Sequence, residues 1–275
     1  MADGILDMIM SSKKRKQILF LLESGPRTLS EIKEHCGVNS PSEIFPRVKE
    51  LIEAGLVMGT SDEYRITRLG ISLLKHIVPM LDFTDALDKP YWRKHDLSGI
   101  PDDLLSRIGD LNICKVMREE PEFLESNELF INACLNATSF YGGAHIFFKG
   151  WETLFPVMSK RGIPVEIITT KKIYNKIKDV HNEKLETYLK HGGKMYIAFG
   201  INVTFSVISG GIFQLSANTT TGLYDHVIMH GNDAMAIKWG NDLFNYYKEN
   251  AIEIKSTESP IIPESCSRIL VKPSL

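Results

Sequence analysis

The amino-acid sequence predicts a multi-domain α/β protein, with a small helical domain and a β-hairpin at the N-terminus and a larger mixed-sheet α/β domain behind it. Three observations predict this fold class: two helix-capping patterns near the N-terminus, a hairpin pattern directly after them, and alternating strands and helices from about residue 122. We divide the chain into an N-terminal domain (1–85), a helical connector (86–121), an α/β domain (122–252) and an extended tail (253–275).

The composition is that of an ordinary globular protein, with 43% hydrophobic and 24% charged residues over 275 positions. No apolar run approaches about 18 residues, so we expect no membrane span. The first basic cluster follows the first apolar residues, which is the reverse of a secretory signal, and we therefore expect a cytoplasmic protein. The net charge of −2 does not by itself indicate a nucleic-acid partner, so that prediction must rest on motifs.

The residues that most often bind metals do not form a recognisable site. The four cysteines are far apart in the sequence and predict neither a disulfide framework nor a zinc site. His226 and His230 stand four positions apart, which on a helix would suit a shared metal ion, but the sequence around them is strand-like and does not favour a metal site. Motifs for nucleotide binding and for serine or zinc hydrolases are also absent from the sequence. We predict no metal, no cofactor and no catalytic residues.

The N-terminal domain begins with a predicted amphipathic helix over 4–23, followed by two capped helices. Thr28 and Glu31 form one capping box, and Ser40 and Glu43 form a second, with proline at the first helical position of the latter. Gly37, between the two helices, suits a left-handed helix exit. A short helix, a tight turn and a second helix are the plan of a helix-turn-helix, whose second helix enters the major groove of DNA.

A short β-hairpin follows, with strands at 56–58 and 63–66, and then a fourth helix after Thr67. The order helix, helix, helix, hairpin, helix predicts a winged helix-turn-helix. Pro46 lies inside the recognition helix and predicts a kink or break there, because proline lacks the N–H donor and clashes with the preceding turn.

Double-stranded DNA is the partner that this plan predicts. The cations of the recognition helix and wing lie where phosphates would run, whereas Glu43 and Glu50 oppose binding unless a carboxylate accepts from a cytosine amino group. The basic cluster 13–16 is either a phosphate contact or a solvated helix face. The alternative is a winged helix that binds protein. The predicted DNA-binding residues are Ser40, Ser42, Glu43, Arg47, Lys49, Arg65 and Arg68.

The α/β domain is predicted from a change of pattern. Helices are expected at 122–137, 151–160, 171–191 and 234–250, and strands at 139–147, 165–169, 195–199, 203–209, 212–217 and 225–230. Strands that alternate with helices and then follow one another directly indicate a mixed sheet.

Several segments resemble known regulators. The segments ELIEAGLV (50–57) and YRITRLG (64–70) resemble winged-helix regulators of bacteria and archaea. The segments SRIGDL (106–111), VEIITT (165–170), GLYDHVIM (222–229) and AIKWGNDLFNYYKENA (236–251) resemble the FilR-type methanogenesis regulatory family of archaea. The resemblance covers about 5–252. It implies a transcription factor that forms a homodimer through its first and fourth helices, with a middle domain that senses an effector or mediates assembly.

A weaker resemblance concerns the phospholipase D-like fold. The segment LSAN (215–218) is similar to the end of that family's signature, G-S-x-N. The catalytic His and Lys of the signature should fall near 202–204, where this chain has Asn202, Val203 and Thr204, and Ser209 stands near the expected Asp. Without the histidine nucleophile a phosphodiesterase is the less favoured alternative, and we predict that the chain is not an enzyme.

A small-molecule effector site is expected where aromatic and polar residues meet. The alternative for Tyr141 and Trp151 is packing in the core. A dimer that binds no ligand and has an architectural role is a further alternative. The candidate effector-binding residues are Tyr141, His145, Trp151, Asn218, Tyr224 and His230.

Overall fold

The computed structural model describes residues 4–59, 63–118, 128–147 and 150–257, and it divides the chain into two compact units, 1–81 and 82–275. Each unit has its own hydrophobic core. Mixed helices and strands in both units confirm the multi-domain α/β fold class.

The first unit contains helices α1 (Ile5–Met10), α2 (Lys13–Glu23), α3 (Leu29–His35) and α4 (Pro41–Glu53), the hairpin strands β1 (Val57–Gly59) and β2 (Tyr64–Ile66), and the start of α5 (Arg68–Leu87). The single helix predicted over 4–23 is therefore two helices. Ser12 separates them, because its backbone is extended and its hydroxyl accepts a hydrogen bond from Arg15 N. The core of the unit comes from the apolar faces of all these helices, including Ile18, Leu22, Ile32, Ile44, Val48, Leu51, Leu74 and Ile77.

The two predicted capping patterns have different outcomes. At α3 the capping box is complete: Glu31 N donates to Thr28 Oγ1, and Thr28 N donates to Glu31 Oε2 at 2.7 Å. At α4, Ser40 Oγ accepts from Ser42 N, but the carboxylate of Glu43 bonds to another helix instead of closing the box.

The helix α4 continues through Pro46, so the predicted break does not occur. The missing N–H of Pro46 would have bonded to the carbonyl of Ser42, in the first turn of the helix. The loss of one hydrogen bond so close to the N-terminus leaves the rest of α4 intact.

The predicted wing is present. The hairpin pairs Val57 with Ile66 and Gly59 with Tyr64, and Tyr64 also exchanges both backbone hydrogen bonds with Arg27, just before α3. The hairpin is thereby fastened to the helical part of the unit on its inner edge.

The second unit is built on a mixed sheet of eight described strands: β3 (Lys115–Arg118), β4 (Phe140–Ala144), β5 (Val165–Thr169), β6 (Lys194–Ile197), β7 (Val203–Ile208), β8 (Ile212–Ala217), β9 (Val227–Gly231) and β10 (Ile252–Ile254). Their order is β10-β6-β5-β4-β7-β8-β9-β3. The strands β4, β5 and β6 are mutually parallel, and the other pairs are antiparallel. The predicted mixed sheet is confirmed.

Helices cover both faces of this sheet. The helices α8 (Glu128–Leu135), α9 (Trp151–Lys160) and α10 (Lys171–Lys190) contribute to the core on one face. The helices α6 (Pro90–Lys94), α7 (Asp102–Leu105) and α11 (Ala234–Glu249) contribute to the core on the other. Successive strand residues alternate between the two cores, as Ile167 and Ile168 do.

Two segments differ from the sequence prediction. The region 86–121, expected as a connector, belongs to the second unit as far as it is described: Tyr91, Trp92 and Leu104 are buried in the core to which α11 also contributes, and β3 forms an edge strand. The tail, expected to be extended from 253, begins with β10, which pairs with β6. Residues 122–127 of the predicted helix and the tail beyond 257 lie outside the described residues.

Candidate nucleic-acid interface

The recognition helix α4 buries Ile44, Val48 and Leu51 and turns its opposite side outward. Ser42 and Lys49 are exposed on this outer side, and Ser40 is half-buried at the helix start. The two serine hydroxyls lie 2.7 Å apart. The helix therefore presents small hydroxyls at its N-terminal end, where residues of such a helix contact base edges.

The acidic residues of α4 are held by cations of α2. Lys14 Nζ lies 2.9 Å from a carboxylate oxygen of Glu43, and Arg15 lies 2.7 Å from Glu50. Glu50 is also bonded by Arg47 at 2.9 Å, one turn away on the same helix. We call these pairs the ion-pair ladder. The partners that join α2 to α4 are 29 and 35 positions apart in sequence, so helix periodicity gave no sign of these two pairs.

The ladder reduces the repulsion expected between the two glutamates of α4 and DNA. A carboxylate that faces DNA repels phosphate, but Glu43 and Glu50 are turned toward α2 and each is neutralised by a neighbouring cation. The objection that the sequence raises against DNA binding is therefore weaker than the charges alone suggest.

A cleft of about 460 Å³ opens between the α1–α2 turn and α4. One wall carries Lys13 and Lys14, and the other carries Arg47 beside Pro46. Part of the basic cluster 13–16 thus lies next to the recognition helix. The remaining lining residues are Ser11, Ser12, Ser42 and Glu43.

Arg65 and Arg68, the two predicted DNA-binding cations that follow the recognition helix, are both exposed. Arg65 lies on β2, whereas Arg68 is the first residue of α5 and not part of the wing. Thr67 fixes the position of this segment, because its hydroxyl donates to the carbonyls of Gly55 and Leu56 and accepts from Gly70 N.

In the second unit, two of the predicted effector residues are hydrogen-bonded to each other. His145 Nε2 lies 3.2 Å from Asn218 Oδ1, and His145 Nδ1 lies 3.0 Å from the hydroxyl of Thr204. Because an amide oxygen can only accept, Nε2 donates the hydrogen bond to Asn218. We call His145, Thr204 and Asn218 the polar triad. It lies at the carboxyl end of β4, where open α/β sheets bind ligands.

The other four candidates lie apart from this contact. Trp151 is 4% exposed and packs edge-on against Tyr188, so it belongs to the core. Tyr141 packs on Phe244 of α11. His230 pairs across the sheet with Lys115; burial lowers its pKa, and the Lys115 charge adds to the effect. The ring of Tyr224 lies 4.8 Å from that of His226.

Sequence reasoning missed a second polar contact in this unit. His95, which is buried, donates from Nδ1 to Tyr91 O at 2.8 Å, and its Nε2 lies 3.2 Å from Asp225 Oδ1. Burial raises the pKa of Asp225, but the hydrogen bonds from His95 and Val227 N outweigh it and lower the pKa overall. His226, the next residue, has a φ of 59°, in the left-handed region that few non-glycine residues adopt.

The positions that match the phospholipase D signature have structural contacts. Thr204 of β7 pairs with Ser216 of β8. Ser209 Oγ accepts from the backbone N–H groups of Thr138 and Ser139 at 2.6 and 2.8 Å. Asn202 donates to a carboxylate oxygen of Asp96.

Within the described part of the chain, no group of three or more potential metal ligands comes together. Cys36, Cys114 and Cys134 are free thiols, and Cys266 lies outside the described residues. Burial raises the pKa of Cys114 to about 11 and that of Cys134 to about 12, so both thiols are weak nucleophiles. No helix in the described ranges is long and apolar enough to cross a membrane.

A winged helix followed by a separate mixed-sheet α/β unit defines a class of regulatory protein, and comparison with known proteins gives the family. Residues 5–81 match the family described as "Methanogenesis regulatory protein FilR1, N-terminal domain", and residues 124–250 match its middle domain. The chain belongs to this FilR1 regulatory family, and the resemblance seen in the sequence is confirmed.

A curated relative is the methanogenesis regulatory protein FilR1 of Methanothrix harundinacea (strain 6Ac). It is 23% identical over an alignment of length 267, and the aligned part covers 89% of this chain. The chain spans 56% of the length of that relative.

Two solved structures are similar to this chain at low identity. TrmBL2, an archaeal chromatin protein, aligns with a TM-score of 0.43 and 15% identity over 92% of this chain and 100% of its own. Nuc, a phospholipase D family member from Salmonella typhimurium, aligns with a TM-score of 0.41 and 11% identity over 52% of this chain and 99% of its own.

Proposed function

We propose that this chain is a sequence-specific transcriptional regulator that binds double-stranded DNA through its N-terminal unit. The observation that carries the proposal is the ion-pair ladder, which turns Glu43 and Glu50 toward α2 and leaves cations and hydroxyls on the outer side of the recognition helix. Membership of a regulatory family supports it.

In this proposal α4 enters the major groove, and the cations around it contact the DNA backbone. Ser40 and Ser42 lie at the end of α4 that meets base edges. Glu43 is assigned to hold Lys14 and not to contact a base. The proposed phosphate contacts are Lys13, Lys14, Arg47, Lys49, Arg65 and Arg68.

Fluorescence anisotropy with the duplex upstream of the protein's own gene, against a scrambled duplex and over a salt series, tests this proposal. We expect at least tenfold tighter binding to the upstream duplex, weakening steeply with salt. Arg47→Ala should weaken binding to both duplexes about three- to tenfold, whereas Lys190→Ala, an exposed lysine of the second unit, should not. No binding at low salt by folded protein would favour a winged helix that contacts protein.

We further propose that the chain forms a homodimer, acts in the cytoplasm and is not an enzyme. Two recognition helices at a fixed separation match two half-sites, so a ligand that favours one dimer geometry changes DNA affinity. Crosslinking and size-exclusion measurements that find monomers at all concentrations would contradict the dimer. Turnover of a phosphodiester by the purified protein would contradict the absence of enzyme activity.

We also propose that the polar triad forms part of a binding site for a small-molecule effector. The triad is half-buried and lies at the carboxyl end of a parallel strand, and its Asn218 has an amide group that can donate to a ligand. A panel of metabolites screened by thermal denaturation tests it, because a ligand of the folded state raises the melting temperature. A hit should lose its effect in Asn218→Ala and retain it in Asn241→Ala. An architectural dimer would show no hit.

A further inference from the structure

Phe45 is a large apolar side chain on the outer side of the recognition helix. It is 51% exposed, whereas Tyr64, another aromatic residue of the first unit, is 3% exposed. Its helical neighbours Ile44 and Val48 are fully buried, so α4 is packed in the core without any contribution from Phe45. The phenyl ring of Phe45 is therefore not part of the core that holds α4 in place.

The position of Phe45 on the helix is defined by its spacing. Ser42 lies three residues before it and Lys49 four residues after it, so the three side chains form one strip along α4. The ion-pair ladder engages Glu43 and Glu50, whereas Phe45 belongs neither to the ladder nor to the residues that line the cleft beside it. Phe45 lies in the N-terminal half of α4, which is the half of a recognition helix that meets base edges.

The major groove of DNA presents one kind of apolar group that a phenyl ring could contact. Its floor presents hydrogen-bond donors and acceptors from every base pair, and the single apolar group is the 5-methyl of thymine. A phenyl ring pushed against donors and acceptors would desolvate them without replacing their hydrogen bonds, which is unfavourable. Against a thymine methyl, the same ring buries apolar surface.

We propose that Phe45 determines sequence specificity by packing against a thymine methyl in the major groove. This inference rests on the proposed DNA-binding function and adds the base that the site must contain. The competing explanation is that the exposed phenyl ring of Phe45 docks on a protein partner.

The test compares the upstream duplex with the same duplex in which every thymine is replaced by uracil, which lacks the methyl group. Burial of one methyl group is worth about a fourfold change in affinity, so wild-type protein should bind the uracil duplex about fourfold or more weakly. Phe45→Ala should bind both duplexes with similar affinity, close to that of wild type for the uracil duplex. Phe45→Leu, which keeps an apolar side chain, should retain part of the preference for thymine.

The matched control is Phe20→Ala, since Phe20 is a partly exposed phenylalanine on α2. This variant should keep the wild-type ratio between the two duplexes, and the comparison of ratios removes any effect of uracil on DNA shape. Equal wild-type affinity for the two duplexes, or an unchanged ratio in Phe45→Ala, would overturn the inference while leaving DNA binding intact. Loss of a dimer in Phe45→Ala, seen by size exclusion, would assign Phe45 to a protein contact. Absence of sequence-specific binding by wild type would overturn the proposed function and this inference together.

Discussion

The two units of the chain use charged side chains for different purposes. In the first unit, the cations Lys13, Lys49 and Arg65 are exposed, and the carboxylates of Glu43 and Glu50 are paired in the ion-pair ladder. In the second unit, charged groups act as internal ties. Lys89 Nζ donates to three backbone carbonyls, and Glu166 accepts from Tyr196 and Lys248.

This difference determines whether substitution of a charged residue changes DNA binding or protein stability. Removal of an exposed cation changes the electrostatic field around α4 but leaves no buried group without a partner. Removal of an internal tie leaves buried carbonyls or carboxylates unsatisfied, and the cost appears as lost stability. Substitution of the exposed cations of the first unit should therefore affect DNA binding, and substitution of the internal ties of the second unit should affect folding.

The largest expected effect is that of Lys89→Met. Lys89 Nζ lies 3.0, 2.6 and 3.0 Å from the carbonyl oxygens of Leu111, Asn112 and Cys114, at the turn that leads into β3. Methionine keeps the apolar stem but removes every donor, and we expect the free energy of unfolding to fall by about 2–4 kcal/mol. Tryptophan fluorescence in urea measures it, because Trp92, Trp151 and Trp239 all lie in the second unit.

Lys190→Met is the control for this measurement, since Lys190 is exposed at the end of α10. It should change the free energy of unfolding by less than about 0.5 kcal/mol. If Lys89→Met had no larger effect than this control, the charged groups of the second unit would not be internal ties, and the comparison between the units would fail.

A smaller, pH-dependent effect is expected for Asp225→Asn, which removes the carboxylate that bonds to His95. The pKa of Asp225 is lowered in the folded state, so its contribution to stability is present above the unfolded value of about 3.9 and is lost as the pH falls through the folded pKa. We expect a loss of about 1–2 kcal/mol at pH 7 that becomes smaller as the pH falls below about 3.9. Exposed Asp179, changed to Asn, should show no such pH dependence. A constant difference from pH 7 to pH 3 would contradict the prediction.

The first unit could be predicted from the sequence almost element by element, because its signals are local. The capping box at Thr28, the glycine exits and the hairpin turn each need only a few neighbouring residues. What the sequence could not predict is the pairing between helices. Lys14 and Glu43 are brought together by the packing of α2 on α4, and their separation of 29 positions follows no local rule.

In the second unit, the presence of most strands was predictable, but the sheet order and the polar contacts were not. The edge strand β3 is exposed along its whole length, so it shows no alternation of buried and exposed residues, and its partner strand is more than 100 positions away. His145, Thr204 and Asn218 come from the ends of three strands that become neighbours because β7 returns beside β4. No spacing rule connects these positions.

An effect on DNA binding without an effect on folding is expected for Lys13→Ala. Lys13 is exposed and lines the cleft beside α4. We expect about three- to fivefold weaker binding to the upstream and scrambled duplexes alike, and a slope of log K against log salt that is smaller by about one, because a phosphate contact carries no sequence information. Lys190→Ala should leave both quantities unchanged. A loss restricted to the upstream duplex would instead indicate a base contact for Lys13.

The smallest expected effect is that of Glu43→Gln. This substitution tests whether Glu43 only pairs with Lys14 or also contacts a base. The pair of Lys14 and Glu43 is 34% and 51% exposed, so its loss should lower stability by less than about 1 kcal/mol, seen as slightly faster hydrogen exchange in α4. Because the substitution removes a negative charge beside the cleft and frees Lys14, DNA binding should be unchanged or up to about threefold tighter at low salt. Glu53→Gln, which breaks an exposed pair with Lys49 at the far end of the helix, is the matched control. Weaker and less selective DNA binding in Glu43→Gln would mean that Glu43 accepts a hydrogen bond from a cytosine, and that the ladder opens when α4 enters the groove.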